Sequence, residues 1–345
     1  MSLPSTFVSN FHDENVVKKM KYSIFGDTGM QVSKLSLGCA EFSSIYGDYS
    51  EDNCKATLIK SLKSGINYLD TAYWYGQNTS QEVLGRCLKD VPRSSYYLAT
   101  KVGRYEQDPK EMFDFSSEKT RWCLENNLKT LGVDYIDVIQ IHDIEFAPSI
   151  EYLIENTLPV LDEARKKGIV KYIGVTGYPV SALKEIVEKS PIKIDMVLSY
   201  CRFNLVDDTL KDFIPFFKEK KMGIVNASGL NMGLLSNSGP QPWHPAQDEI
   251  KTACKKARDL CIKNGTDLAR LATYYIYNNP DIDTNLVGMK TLGQLDSNLD
   301  VLFNGITQKE KEILEEVKKG FVDLKVKHWE GVELEKFKNS TLKYD

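Results

Sequence analysis

Two hydrophobic periods alternate along this chain. Short runs rich in β-branched and aromatic residues recur at Leu35–Cys39, Asn67–Asp70, Tyr96–Thr100, Ile136–Ile141, Tyr172–Val175, Met196–Tyr200, Gly223–Ala227 and Thr284–Val287. Each has the length and composition of a strand. Between them, apolar positions three and four apart predict helices at Glu51–Lys63, Ser80–Leu88, Glu118–Leu131, Leu153–Lys167, Val180–Lys189, Asp208–Lys220 and Asp248–Asn264. Gly65, Gly132 and Gly168 follow helical runs, where a left-handed residue ends a helix. Thr79 and Glu82 have capping-box spacing, which predicts a helix start there. Ahead of the first strand, Tyr22–Phe25 and Met30–Val32 flank Gly26-Asp27-Thr28-Gly29, a hairpin signal.

Successive strands recur at roughly thirty residues, the length of one βα unit. The last gap, Ala227 to Thr284, is about twice as long and holds an extra loop and helices. The pattern predicts an α/β fold, a (β/α)8 TIM barrel with an N-terminal β-hairpin cap. The alternative is an open doubly wound sheet, but no G-x-G-x-x-G follows the first strand. Residues 1–345 are expected to form a single barrel domain. Residues 1–20 are a polar leader expected to be mobile. The charged, weakly periodic tail 321–345 either wraps the barrel mouth or is mobile.

Composition narrows the function. Apolar residues make up 42% and charged residues 27% of the 345 positions, enough for a large core without metal or disulfide staples. A formal charge of −4 gives no electrostatic case for nucleic acid or an anionic membrane. The seven cysteines are scattered, with no CxxC or His/Cys cluster, so no metal site is expected and reduced thiols fit best. No run approaches about 18 uninterrupted apolar residues and the N-terminus lacks a signal-peptide pattern, so a cytoplasmic protein acting on a small molecule is expected.

Four residues carry the chemistry. Asp70 and Tyr75 follow the second strand, Lys101 ends the third and His142 ends the fourth. Alone, each has an ordinary role: a packed loop tyrosine, a solvated strand-end charge, a turn aspartate, a histidine paired to Asp143. Side chains at the carboxyl ends of barrel strands converge on one face, however. There a phenol can donate a proton to a carbonyl receiving hydride, and an ammonium can lower the phenol's pKa. Asp70 would hold Lys101, and His142 would donate a second hydrogen bond to the carbonyl.

The run Asn67-Tyr68-Leu69-Asp70-Thr71-Ala72-Tyr73-Trp74-Tyr75-Gly76 resembles the signature of the aldo-keto reductase superfamily. So do Ala99-Thr100-Lys101-Val102, Ile173-Gly174-Val175-Thr176, Met232-Gly233-Leu234-Leu235, and Gly288-Met289-Lys290 with Gln294 and Asn298. Within it, His142-Asp143-Ile144-Glu145-Phe146, Leu198-Ser199-Tyr200-Cys201 and Gly239-Pro240-Gln241-Pro242-Trp243-His244-Pro245 are similar to the L-galactose dehydrogenase-like branch. The resemblance implies a barrel binding extended NAD(P)(H), with Asp70, Tyr75, Lys101 and His142 as a catalytic tetrad. It implies an aldehyde or aldose substrate, reduced to the alcohol or oxidised to the lactone.

The same resemblance places cofactor contacts at Asp70, Thr176, Ser199 and Tyr200 around the nicotinamide. Ser228, Gly229, Leu230 and Gly233 follow the seventh strand, and Gly288, Met289, Lys290, Thr291, Gln294 and Asn298 form a clasping segment. Thr176-Gly177 stands where many members have Ser-Asn, Tyr200 where they have Gln, and Ala227 where they have a stacking Tyr; Tyr200 can supply that surface instead. Trp74, His142 and Asp143 are the expected substrate contacts. Trp243 is a further candidate for the mouth, Trp122 is expected to pack, His244 to be structural, and Asp143 and Glu145 either bond sugar hydroxyls or sit in a solvated loop. Lys290 is the only cation between Gly288 and Asn298, which predicts use of both cofactors with NADP(H) slightly favoured. Two readings from other classes stand beside this one: a redox-sensing binding module resembling potassium-channel β subunits, and a barrel hydrolase using Asp70 and His142 with a metal, for which a ligand cluster is lacking.

Overall fold

The computed structural model describes residues 3–342. Antiparallel strands β1 (Tyr22–Ile24) and β2 (Gln31–Ser33) form the hairpin. Eight parallel strands follow: β3 (Leu35–Gly38), β4 (Tyr68–Asp70), β5 (Tyr97–Val102), β6 (Ile136–Ile141), β7 (Val170–Gly177), β8 (Met196–Tyr200), β9 (Gly223–Ala227) and β10 (Thr284–Gly288). They run in sequence order around a closed barrel, with β10 pairing β3. The expected (β/α)8 barrel with its hairpin cap is the observed fold.

Strand alternation sorts side chains to the two faces. Tyr68, Ala99, Val138, Met196, Leu198, Val225, Ala227 and Leu286 pack inside the barrel, while Ile139, Ile173, Val197 and Ile224 face the helices. Phe25 and Val32 of the hairpin join the inner cluster and plug its lower end, with the Phe25 ring 5.7 Å from that of Tyr68. Gly223 leaves room for Phe25: a Cβ there would lie 2.5 Å from the ring.

Local signals account for most boundaries. Gly65, Gly132 and Gly168 all take positive φ before a strand. The capping box at Thr79 does not form. Asn78, at φ +79°, takes the N-cap position of the helix Thr79–Leu88, so Thr79 is its first helical residue, and its hydroxyl donates to the Gly76 carbonyl. The stretch Leu153–Lys167 opens with a π-helical turn, Leu153–Thr157, ahead of Pro159, whose missing N–H breaks the regular ladder.

The leader packs against the barrel, where mobility was expected. Asp13 caps a short helix, Glu14–Val17, and Val17 and Met20 are buried. The tail also has a place: after the helix Gln308–Val322 it carries buried Trp329 and a last helix, Val332–Leu342. Met1, Ser2 and residues 343–345 lie outside the described residues. Among those described, no helix is long and apolar enough to cross a membrane.

Gly174 on β7 is a close approach inside the barrel. A Cβ there would lie 2.1 Å from Met196 Sδ and 3.1 Å from Gln140 Cγ. Overpacking of this kind costs about 1–3 kcal/mol. Gly174→Ala is therefore expected to lower the unfolding free energy measured in urea by that amount, and a change within about 0.5 kcal/mol would show that Met196 has room to move.

Candidate active site

Asp70, Lys101 and Gln140 occupy inward positions at the upper ends of β4, β5 and β6, and His142 continues that face just past β6. The register sets Asp70 beside Ala99 and Lys101 beside Gln140. The Lys101 ammonium donates to Asp70 Oδ1, to the Thr71 carbonyl at 2.9 Å and to the Tyr75 hydroxyl at 3.3 Å. Gln140 Nε2 donates to the other Asp70 oxygen at 2.7 Å. Asp70 and Lys101 are both buried. All four residues singled out from the sequence are thus brought together: the Tyr75 and His142 rings meet edge to face, centroids 5.9 Å apart.

Electrostatics departs from the expectation in one respect. Burial, then the Asp70 and Asp143 carboxylates, push the Tyr75 pKa well above its ordinary value, whereas Lys101 was expected to lower it. The ammonium is already engaged by Asp70 and Thr71. The resting phenol is therefore neutral and carries its proton. His142 is driven the other way, down to about 3, chiefly by burial, against which the opposing Asp143 contribution is insufficient. It is a neutral imidazole at physiological pH, and its Nδ1 has no hydrogen-bond partner.

Above the tetrad the wall is polar. Arg104 donates to Asp143 Oδ2 at 2.7 Å and lies over the Trp74 ring at 4.1 Å. Asp143 sits at φ +50°, and its N–H donates to Thr176 Oγ1 at 3.0 Å. Glu145 is not solvated: Oε1 accepts from the Tyr178 N–H, Oε2 is buried without a partner, and burial raises its pKa well above normal. The tail closes over this wall. Trp329 packs on Tyr178 and His244, its Nε1 donates to Glu333, Glu330 pairs with Arg202, and Phe337 meets Phe113 and Phe146. Trp243 is exposed and meets the Tyr46 ring; Trp122 is partly exposed and packs on Tyr73 and Tyr105. His244 is hydrogen-bonded to the Asn231 carbonyl and the Ala246 N–H, a structural role.

The cofactor expectations fare unevenly. Tyr200 points inward beneath the mouth, its ring 5.2 Å from Tyr178. Ser199 does not join it. Alternation along β8 puts Ser199 on the helix-facing side with Val197, where its hydroxyl is fully buried and unpartnered. Past β9, Ser228, Asn231, Met232 and Gly233 all have positive φ, a tight turn around Gly229 and Leu230 in which the Asn231 and Gly233 N–H groups donate to the Ser228 and Leu230 carbonyls. Gly38 and Gly288 face each other across β3 and β10. Thr291 and Gln294 form a capping box on the helix Leu292–Asn304. Asn298 is engaged by Tyr277 and the Gln294 carbonyl, and Met289 is buried in the core, so both position the clasp. A tight turn, two bare glycines and a helix N-terminus fit a dinucleotide laid across the mouth. No group of His, Cys, Asp or Glu among the described residues is placed to hold a metal.

Gln140, Arg104 and Glu333 were not singled out from the sequence. For Gln140 the signal was present: a polar residue two positions on from inward-facing Val138. Arg104 follows Lys101 by three residues in a mouth loop, and Glu333 lies in a tail whose placement local pattern does not settle.

Comparison with known proteins agrees with this geometry. The model of the Aldo/keto reductase family matches residues 34–319. The L-galactose dehydrogenase of Arabidopsis thaliana is 38% identical over 284 residues, 81% of this chain and 88% of that protein. The D-arabinose 1-dehydrogenase of Saccharomyces cerevisiae is 33% identical over 257 residues, 71% and 75% of the two chains. A solved aldo-keto reductase from Bacillus halodurans superposes with a TM-score of 0.69 at 24% identity, covering 90% of this chain and all of that one. With its closed barrel and its polar cluster at the strand ends, the chain belongs to the aldo/keto reductase family and is an NAD(P)-dependent oxidoreductase of small-molecule aldehydes or sugars.

Proposed function

We propose that this enzyme oxidises the anomeric carbon of an aldose to a lactone, and reduces aldehydes by the reverse step, with Tyr75 as general acid/base. The observation that carries the reading is the Tyr75 hydroxyl, 3.3 Å from an ammonium that Asp70 and Thr71 hold in place. The bound nicotinamide supplies or accepts the hydride. Tyr75 supplies the matching proton: in reduction its neutral hydroxyl gives H⁺ to the oxygen that hydride attack leaves charged, and Lys101 stabilises the phenolate produced. In oxidation Tyr75 first gives up its own proton to solvent, and the phenolate, held by Lys101, then takes the proton of the sugar hydroxyl. Neutral His142 donates one N–H to the substrate oxygen, and Gln140 keeps Asp70 turned toward Lys101.

The aldose assignment rests on two supports. The Arabidopsis relative is an L-galactose dehydrogenase, and the wall formed by Arg104, Asp143 and Glu333 offers donors and acceptors suited to a polyol. Trp74 flattens one side of that wall. The turn at Ser228, Gly229 and Leu230 would hold the pyrophosphate, with Thr176 and Tyr200 bordering the nicotinamide. All seven cysteines are free and buried, which fits a reducing compartment, and we place the enzyme in the cytoplasm. The test is steady-state kinetics over a panel of aldoses and aldehydes with both cofactors; turnover of aldehydes alone would remove the lactone-forming assignment.

Three outcomes follow for the tetrad. Tyr75→Phe should lower turnover by about 10²–10⁴-fold while cofactor binding, read by fluorescence, stays unchanged; more than about a tenth of wild-type turnover with chemistry rate-limiting would reject the assignment. Lys101→Met and Asp70→Asn should couple, the double variant being little worse than the poorer single one, whereas additive losses would mean that the two act separately. His142 ionises in the unfolded chain near 6.5 but in the folded one only at about 3. Between those values the unfolded state binds more protons, so the stability that depends on neutral His142 is complete above 6.5 and is lost as pH falls toward 3. A His142→Gln variant should show a shallower acid-side loss of denaturant midpoint, and an identical slope would place the protonation elsewhere.

A further inference from the structure

One carboxyl at the mouth is used by nothing in the reaction above. Glu41 lies in the turn after β3, and its Oε1 sits 3.0 Å from where a Gly288 Cβ would be. Its Oε2 is buried without a partner. The clasp lies against it: burial raises its pKa, which the Lys290 ammonium and then the Gln294 side chain draw back down. Lys290 is committed elsewhere too, its Nζ donating to the Tyr46 carbonyl at 3.1 Å. The single cation of the segment is therefore held by a carbonyl and offset by an acid.

An acceptor with an open lone pair asks for a donor. The phosphates of a dinucleotide offer none at neutral pH, but its ribose hydroxyls do. Phosphorylation at the 2′ position removes one of those donors and adds negative charge. We infer that Glu41 is a specificity-determining residue of the cofactor site, accepting from the adenosine ribose hydroxyls and turning the enzyme toward NAD(H) over NADP(H). This reverses the slight NADP(H) preference expected from Lys290 alone. It rests on the reading that a nicotinamide dinucleotide spans this mouth.

The test measures binding without substrate. NADH and NADPH are titrated into wild type, Glu41→Gln and Glu41→Ala, reading nucleotide fluorescence, with circular dichroism to establish folding. Wild type is expected to bind NADH more tightly. Both variants should narrow the gap by about tenfold, the scale of one partly solvated charge contact, mainly through tighter NADPH. Two different substitutions keep the test open if one fails to fold. An NADPH:NADH ratio that does not move in either folded variant overturns the role of Glu41. Absence of binding for both nucleotides in wild type overturns the cofactor reading itself, and the two failures are distinct.

Discussion

The buried ion pair of Lys101 and Asp70 is the constraint around which the mouth is arranged. Removing two charges from water costs several kcal/mol per ion, and attraction offsets this only when the remaining hydrogen-bonding positions are filled. Here they are filled: Gln140 takes the second carboxylate oxygen, and the Thr71 carbonyl and Tyr75 hydroxyl take the other ammonium protons. The partners come from three neighbouring strands: β4 with the loop beyond it, β5 and β6. The barrel must close in one register for all of them to meet, so correct closure and a competent phenol are one event. Loss of a single member would leave an uncompensated charge in the interior.

Most of the fold was legible because its signals are local. Strand and helix periods alternate cleanly, and the glycines that end helices sit where left-handed backbone is needed. The tetrad was legible for the same reason, since strand ends converge in a barrel and the motif around Asp70 and Tyr75 is contiguous. Thr79 misled because spacing alone does not show that Asn78, in a left-handed conformation, takes the N-cap position one residue earlier. Ser199 misled because the choice of strand face is a matter of parity, and neighbouring Tyr200 takes the inward position. The pKa of Tyr75 was misjudged because a nearby ammonium was weighed without the two carboxylates that also surround the phenol.

The tail was opaque to pattern reading for a different reason. Trp329 and Phe337 are isolated aromatics among charges, so no amphipathic stripe announces where they dock. Their docking depends on Tyr178, His244, Phe113 and Phe146, which four separate loops supply. Nonlocal recognition of this sort has no signature in the segment itself. The same dispersal divides labour at the mouth: the chemistry sits on rigid strand ends, and the wall that meets the substrate is assembled from loops and the last helix.

The hairpin plug imposes a sequence in time. With Phe25 and Val32 filling the lower end of the barrel, everything that reaches Tyr75 must come through the upper mouth. In the proposed arrangement the nicotinamide lies deep, beside Thr176 and Tyr200, and the sugar above it, against the wall that the tail completes. A sugar already seated would stand in the nicotinamide's way, and a spent nicotinamide could not leave past a seated sugar. In that arrangement the dinucleotide arrives first and departs last, because the packed barrel interior, sealed below by Phe25, leaves Tyr75 a single approach.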